Sequence, residues 1–241
     1  MKDWIVPDWP APIAVQARVT TRSGGVSGAG YASMNLGNHV GDDPAAVAEN
    51  RRRLRARLPA EPLWLSQVHG RAVVDAASAR PGIAADAAFA RVRGTVCAVL
   101  TADCLPVLLC DDAGSVVAAV HAGWRGLAGG VLEAAVRAMA VAPVRLMAWL
   151  GPAIGPQAFE VGDEVREAFL AHAREAAAGF APQANGKWLA DLYQLATQRL
   201  HAAGVARVFG GGFCTWHEQE RFYSYRRDKN TGRMASLIWM E

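Results

Sequence analysis

Long hydrophobic runs are missing from this chain of 241 residues. No stretch approaches the roughly 18 consecutive apolar residues that a membrane-spanning helix needs. The opening segment MKDWIVPDWPAP also lacks the apolar centre of a secretory signal peptide. We therefore predict a cytoplasmic protein without a membrane partner.

A strong excess of one charge is missing as well. The 25 Lys and Arg residues face 22 Asp and Glu residues, which gives a net charge of +3. The basic residues are dispersed, apart from the run RRRLRAR at residues 51–57, which is typical of a solvated helix face. We therefore predict no nucleic-acid partner.

Cysteine is scarce, with four residues in the chain. Without a secretory signal, four cysteines in unrelated surroundings are expected to stay thiols. The sequence therefore predicts no disulfide framework.

Apolar residues, in contrast, make up 52% of the chain, which is ample for a core. Alternation of period two predicts strands at residues 13–21, 63–70, 221–227 and 233–240, with the last two forming a hairpin. Helical spacing predicts a helix from Asp43 to about Leu58 and two more in the C-terminal half. We find no repeat or composition break. The prediction is a single mixed α/β domain (α+β type) over residues 1–241, with mixed and antiparallel sheets covered by helices, and with residues 1–12 extended.

One predicted hairpin has a potential metal ligand near each of its two ends. The stretch TADCLPVLLCDDAGSVVAAVHAGWRG, residues 101–126, has an apolar run on each side of DDAG. A four-residue loop over DDAG pairs Cys110 with Ser115 and therefore Cys104 with His121. Opposed residues have Cβ atoms roughly 4.5–5.5 Å apart on one face. This thiol and imidazole could bind one metal ion, form a nucleophilic Cys/His dyad, or simply be core residues.

His69, in the motif SQVHG, is a third candidate ligand at the end of another predicted strand. If it converges with Cys104 and His121, two imidazoles and a thiolate form the ligand set of a catalytic zinc site with one open position. Cys214 and His217 also have ligand-like spacing, but this CxxH cluster lacks a second half. We interpret it as a poor candidate for a metal site.

Several motifs carry a resemblance to a known family. TRSGGVS, NLGNHVGDDP, QVHG, TADCLPVLL, HAGWRG and FYSYRRDKNTGRMASLIW occur in this order and closely resemble the YfiH family, from about Thr20 to the C-terminus. Its members are known as multicopper polyphenol oxidase or laccase-domain proteins, purine nucleoside phosphorylases and peptidoglycan editing factors. The resemblance implies an α/β domain similar to the catalytic domain of cytotoxic necrotizing factor. It also implies a zinc ion bound at His69, Cys104 and His121.

The same resemblance implies phosphorolysis of adenosine, inosine, guanosine and methylthioadenosine, with adenosine deamination as a side activity. Zinc deaminases place a Glu beside a ligand histidine, but no His-x-Glu occurs here. Asp103 is therefore our candidate proton carrier, beside Cys104 and His121 as catalytic residues. Arginines bind phosphate by bidentate pairing. The candidate contacts to the purine nucleoside and to phosphate are Arg125, Asn35, His39, Arg22, Gln67 and Arg226.

Three other functions stay open. Copper binds N/S ligands more tightly than zinc, so a copper-loaded site could oxidise polyphenols, although six histidines and no His-x-His are too few for a multicopper centre. A peptidoglycan-precursor editing hydrolase would remove misincorporated L-Ser by activating water at the same site. A non-enzymatic interaction module with a structural metal would need a fourth ligand. Each enzymatic function predicts a small-molecule substrate. The expected assembly is a monomer or homodimer.

Overall fold

The computed structural model describes residues 4–241. Within that range the strands are β1 (Val15–Val19), β2 (Val73–Asp75), β3 (Ala87–Ala90), β4 (Cys97–Thr101), β5 (Leu105–Asp111), β6 (Val117–Ala122), β7 (Leu146–Leu150), β8 (Glu160–Val161), β9 (Phe180–Pro182), β10 (Trp188–Ala190), β11 (Arg207–Gly210) and β12 (Met234–Met240). The α-helices are α1 (Pro44–Arg55), α2 (Trp124–Gly129), α3 (Val131–Ala138), α4 (Asp163–Leu170), α5 (Leu192–Ala202) and α6 (Tyr225–Asp228).

A six-stranded mixed sheet in the order β11-β7-β5-β6-β3-β2 forms the centre of the fold. Its central strand β5 is apolar along its length because both faces are covered. Val107 and Leu109 pack with helices α3 and α5, whereas Leu108 and Cys110 pack against strands of a second sheet. Apolar clusters therefore cover the central sheet on both faces.

The second sheet is antiparallel, in the order β1-β12-β4. Its middle strand β12 pairs with both neighbours, for example Ser236 with Val19 and with Val99. A small third sheet has the order β8-β10-β9. The predicted mixed α/β class is thus confirmed, and no helix among the described residues is long and apolar enough to cross a membrane.

The hairpin predicted at residues 221–240 is wrong in its first half. Residues 225–228 form α6, whose Ser224 side chain accepts a hydrogen bond from Arg227 N at 3.2 Å. Phe222 and Tyr223 are fully buried in a small separate cluster. Alternating apolar residues over so short a stretch fit this buried turn as well as a strand.

The register predicted for the β5–β6 hairpin is also wrong, by two residues. Cys110 pairs with Val117, and Pro106 faces His121. The loop is displaced because the buried Asp111 carboxylate accepts hydrogen bonds from Ser115 N and Ser115 Oγ, both at 2.6 Å. A displacement of two residues leaves side chains on the same face. Cys104, just before β5, therefore keeps the side of the sheet that was predicted for it.

The strand predicted at residues 63–70 is replaced by an irregular segment with isolated bridges from Leu63 to Cys97 and from Ser66 to Ala84. The Gln67 side chain takes over the hydrogen bonds of a strand ladder. Its Nε2 donates to Leu100 O at 2.8 Å, and its Oε1 accepts from Leu100 N at 2.7 Å. The Gln67 side chain thus occupies the backbone N–H and C=O groups of Leu100 that a neighbouring strand would otherwise use.

Helix α1 begins as predicted. Asp43 caps it by accepting a hydrogen bond from Ala45 N at 3.0 Å, and Pro44 occupies the first turn. The predicted extended N-terminal segment lies partly outside the described residues. In its described part, Ile5 exchanges backbone hydrogen bonds with Val19 at 2.9 Å.

Candidate metal site

His69, Cys104 and His121 converge at one end of the central sheet. Cys104 lies just before β5, His121 lies in β6, and His69 lies in the turn that follows the Gln67 segment. Their ligand atoms all lie within 4.8 Å of one another. Cys104 Sγ is 3.8 Å from His69 Nε2, and the two imidazole rings meet edge to face at 4.8 Å between centroids. These distances suit three ligands that share one ion.

Asp86, which the sequence reasoning missed, holds both histidines in place. Its fully buried carboxylate accepts a hydrogen bond from His121 Nδ1 at 2.8 Å. It also accepts from His69 N at 2.9 Å and from Gly70 N at 2.7 Å. The bond to Nδ1 leaves Nε2 of His121 for a ligand, the usual arrangement of a carboxylate behind a metal-binding histidine. A lone Asp in the apolar run AADAAFA was the available sequence signal.

The histidines determine the charge of the thiol. Burial alone would raise the pKa of Cys104, but His121 and His69 outweigh it and lower the pKa to about 6. Burial opposes the positive charge of His121, yet Cys104 and Asp86 raise its pKa to about 9. Near neutral pH the metal-free site therefore holds a thiolate beside an imidazolium, and thiolate is the form that binds metal.

We expect iodoacetamide to modify Cys104 first in metal-free protein. Only thiolate reacts, so the rate should follow the Cys104 pKa of about 6. Burial raises the pKa of Cys97, and burial raises that of Cys110 to about 12, so both should react slowly. Mass spectrometry of cysteine peptides, labelled from roughly pH 5 to roughly pH 9, measures this order. Saturation with zinc should protect Cys104. A Cys104 profile centred near the ordinary thiol pKa of 9.0 would contradict the expected charge coupling.

Gly123 leaves the space between the three ligands open. A Cβ at this position would lie 2.8 Å from His69 Cδ2, 3.1 Å from Cys104 Sγ and 3.5 Å from His121 Cε1. The residue has ordinary dihedrals, φ −62° and ψ 154°, so the backbone does not require glycine here. The space itself and the soft N/S donor set both fit zinc or copper.

Gly123→Ala should therefore weaken metal binding while the protein stays folded. The added methyl group pushes His69 and Cys104 apart, and we expect a loss of at least about tenfold in zinc affinity, comparable to disturbing the groups that orient a metal ligand. Competition with a chromogenic chelator measures the affinity. The matched control is Gly129→Ala at the C-terminal end of α2, the helix that Gly123 precedes, because a Cβ there would meet no atom within 4 Å. Equal zinc affinities in both variants would show that the space at Gly123 is not used.

A cavity of about 390 Å³ opens above the three ligands. It is lined by His39, Leu65, Gln67, His69, Leu100, Thr101, Ala102, Cys104, His121, Tyr225 and Arg233. His39 and Gln67 were predicted as substrate contacts, and both line the cavity. Tyr225 and Arg233 were missed, although both stand in the motif FYSYRRDKNTGRMASLIW.

Asn35, a predicted substrate contact, is fully buried and does not line this cavity. Its Oδ1 accepts hydrogen bonds from Gly37 N and Arg233 N, both at 2.9 Å. Its Nδ2 donates to Asp42 Oδ2 at 2.9 Å. The side chain thus ties the loop before α1 to the start of β12.

The three predicted phosphate-binding arginines also lie away from the cavity lining. Arg22 donates hydrogen bonds to Ala32 O at 3.1 Å and to Gln219 O at 2.8 Å. Arg125 is exposed on α2, with its guanidinium carbon 4.3 Å from the centroid of the Trp124 ring. Arg226 donates to Glu160 O at 2.7 Å. Their contact with substrate stays a prediction.

Asp103, the predicted proton carrier, has both carboxylate oxygens occupied. Oδ1 accepts from Thr215 Oγ1 and Oδ2 accepts from Arg226 N, each at 2.6 Å. Cys214 and His217 line a separate cavity, where Cys214 Sγ accepts a hydrogen bond from Gly155 N at 3.3 Å. Among the described residues, the group of potential ligands comprises His69, Cys104 and His121 without a fourth.

Comparison with known proteins places this architecture in a family. The family model described as multi-copper polyphenol oxidoreductase laccase matches residues 16–241. A purine nucleoside phosphorylase of Pseudomonas aeruginosa is 58% identical over 242 residues, with 100% of both chains covered. Purine nucleoside phosphorylase YfiH of Escherichia coli K12 is 57% identical over 247 residues, again with 100% of both chains covered.

Solved structures agree with these relatives. A protein of Neisseria meningitidis from the family DUF152 superposes with a TM-score of 0.96 at 53% identity, with 99% of both chains covered. YlmD from Geobacillus stearothermophilus superposes with a TM-score of 0.90 at 30% identity, covering 99% of this chain and 96% of that one. The chain therefore belongs to the YfiH family, whose family model carries the description multi-copper polyphenol oxidoreductase laccase.

Proposed function

We propose that this protein is a zinc-dependent purine nucleoside phosphorylase acting on adenosine, inosine, guanosine and methylthioadenosine. The observation that carries the proposal is the convergence of two imidazoles and a thiolate at the base of a cavity of about 390 Å³. The relatives named purine nucleoside phosphorylase, which match over the whole chain, supply the substrate class.

In the proposed reaction a phosphate oxygen forms a bond to C1′ of the ribose, and the C1′–N9 bond breaks. The purine leaves with the electron pair of that bond and takes up a proton. Bound zinc supplies a Lewis acid with an open position. Asp86 holds His121 and His69 in their orientations. Tyr225, 52% exposed at the cavity, offers an aromatic surface on which a purine can stack.

Adenosine deamination is proposed as a side activity. It needs a group that carries a proton to the leaving amine. Because both oxygens of Asp103 already accept short hydrogen bonds, we assign this residue a positioning role between Thr215 and the backbone of Arg226. None of the residues that line the cavity in the described part of the chain carries a carboxylate. We therefore expect deamination to be slower than phosphorolysis.

Copper-dependent polyphenol oxidation is the second candidate, favoured by the description of the family. Three of the six histidines, His39, His69 and His121, line the cavity. The other three line separate cavities. A blue-copper site plus a trinuclear cluster needs more imidazoles than this pocket offers. We therefore propose phenol oxidation only as a reaction of copper in the same three-ligand site.

The test is phosphate-dependent release of purine base. Zinc-loaded protein is incubated with adenosine or inosine, with and without phosphate, and the base and ribose 1-phosphate are measured by chromatography. We expect both products only when phosphate is present. Equal release without phosphate would identify a hydrolase. Absence of release would reject nucleosides as substrates and make the muropeptide precursor with L-Ser the next compound to test. A copper-loaded sample with a phenol and oxygen tests the second candidate in parallel.

The predicted partners follow from the proposed reaction. They are a purine nucleoside and phosphate, with no nucleic acid. The cytoplasmic location and the monomeric or homodimeric state stay predictions.

A further inference from the structure

Outside the three metal ligands, the wall of the cavity carries one arginine. Among the described residues that line it, Arg233 is the one with a permanent charge, and no Asp or Glu accompanies it. A cavity whose wall is positive and lacks carboxylates attracts an anionic ligand. Arg233 was not among the arginines that the sequence singled out.

The side chain of Arg233 is held firmly. Its Nη1 donates to Thr231 O at 2.9 Å and to Gly232 O at 3.1 Å. Its aliphatic part packs on Gly37, where a Cβ would come within 2.8 Å of Arg233 Cγ. The backbone N is fixed by the buried Asn35. A guanidinium that is already oriented loses little conformational entropy when it binds a ligand.

Arg233 forms no ion pair with a carboxylate among residues 4–241, although the charges of Cys104 and Asp103 act on it from a greater distance. The buried Arg199 pairs with Glu133 at 2.6 Å, and the partly buried Arg227 pairs with Asp228 at 2.8 Å. Arg233 instead meets carbonyl oxygens and the Tyr225 ring, whose centroid is 5.8 Å from the guanidinium carbon. A half-buried charge without a partner is costly. An oxyanion in the cavity would supply that partner.

A second hydrogen-bonding group stands beside it. His39 lines the same cavity. Burial lowers the pKa of His39, and the positive charges of Arg233 and Arg51 lower it further. His39 is thus close enough to Arg233 to sense its charge, and a neutral imidazole there can still donate one hydrogen bond.

We propose that Arg233, assisted by His39, forms the phosphate subsite of this cavity and orients inorganic phosphate toward the nucleoside. The inference rests on the proposed phosphorolysis for the role of the anion, but not for its binding. It assigns the role to Arg233 because Arg22, Arg125 and Arg226 do not line the cavity.

Kinetics of Arg233→Met test the proposal. Methionine keeps much of the length and removes the charge. Charge-assisted hydrogen bonds contribute enough that we expect KM for phosphate to rise about 10- to 100-fold, with KM for inosine little changed. Arg233→Lys keeps the positive charge but loses the planar guanidinium that can form two parallel hydrogen bonds. Its KM for phosphate should therefore lie between those of the unmodified protein and of Arg233→Met. The control is Arg137→Met, an exposed arginine on α3. Zinc content and thermal unfolding confirm that each variant is folded.

Direct binding separates this proposal from the proposed function. Titration calorimetry with inorganic phosphate on zinc-loaded protein requires no turnover. Loss of phosphate binding in Arg233→Met but not in Arg137→Met supports the subsite, even if no nucleoside is cleaved. Equal phosphate binding in both variants, or no binding to the unmodified protein, overturns it. Adenosine monophosphate is titrated as a second ligand. If Arg233→Met weakens only this nucleotide, the residue binds a phosphate carried by the substrate, and the proposal is wrong.

Discussion

Replacing Cys104 by alanine should abolish both metal binding and phosphate-dependent base release. Two imidazoles alone cannot complete a zinc site, which needs three protein ligands to remain stable with an open position. Metal catalysis contributes several kcal/mol, so we expect turnover to fall by about 10³-fold or more. Metal analysis after dialysis gives the zinc content, and chromatography of the purine base gives the rate.

The fold should survive this change. Cys104 lies just before β5 and is only half-buried, so the cost in stability should be about 1 kcal/mol, typical of a point substitution. Cys214→Ala is the matched control because this thiol lines a separate cavity. It should keep both zinc and activity. Full turnover in Cys104→Ala would reject the metal site as the catalytic centre.

Asp86→Asn should have the second-largest effect. The carboxylate is fully buried and accepts hydrogen bonds from His121 Nδ1, His69 N and Gly70 N. An asparagine of the same shape offers one acceptor oxygen, and its NH₂ group opposes at least one of these donors. Breaking a buried charged network of this kind costs about 3 kcal/mol of unfolding free energy. Zinc affinity should fall by about 10- to 100-fold, because the carboxylate orients two of the ligands.

Chemical denaturation and zinc competition measure these two effects separately. Asp112→Asn is the control, since Asp112 forms an exposed ion pair with Arg145 at 2.9 Å. Exposed pairs contribute at most about 1 kcal/mol, so the control should keep its stability and its zinc. If Asp86→Asn bound zinc as tightly as the control, Asp86 would have only a structural role.

Some elements of the fold could be predicted because their signals are local. Asp43-Pro44 marks the start of α1, where the cap and the proline act on adjacent backbone groups. The apolar runs of β5 and β6 predict two buried strands. Cys104 and His121 end on the same side of the sheet because strand alternation survives an even displacement of register.

Other elements could not be predicted because distant groups replace the local signal. The hairpin loop depends on the Asp111 carboxylate, which substitutes for backbone partners and moves the turn by two residues. The segment around Gln67 alternates apolar and polar residues like a strand. The Gln67 side chain nevertheless donates a hydrogen bond to Leu100 O, 33 residues away, in place of strand pairing. Residues 225–228 fold into α6, although the stretch 221–227 alternates in polarity as a strand does.

The sequence by itself determined the mixed α/β class, the family and the three soft side chains of the candidate metal site. These properties follow from periodicity, motif order and residue type, which can be read from the sequence without knowledge of the fold. Only the tertiary structure decided that Asp86 orients two histidines, that Gly123 leaves room between the ligands, and that Arg233 lines the cavity without an accompanying Asp or Glu. Those roles arise where segments far apart in sequence, such as those of Asn35 and Arg233, are brought into hydrogen-bonding distance by packing of Met34 and Leu36 against β12.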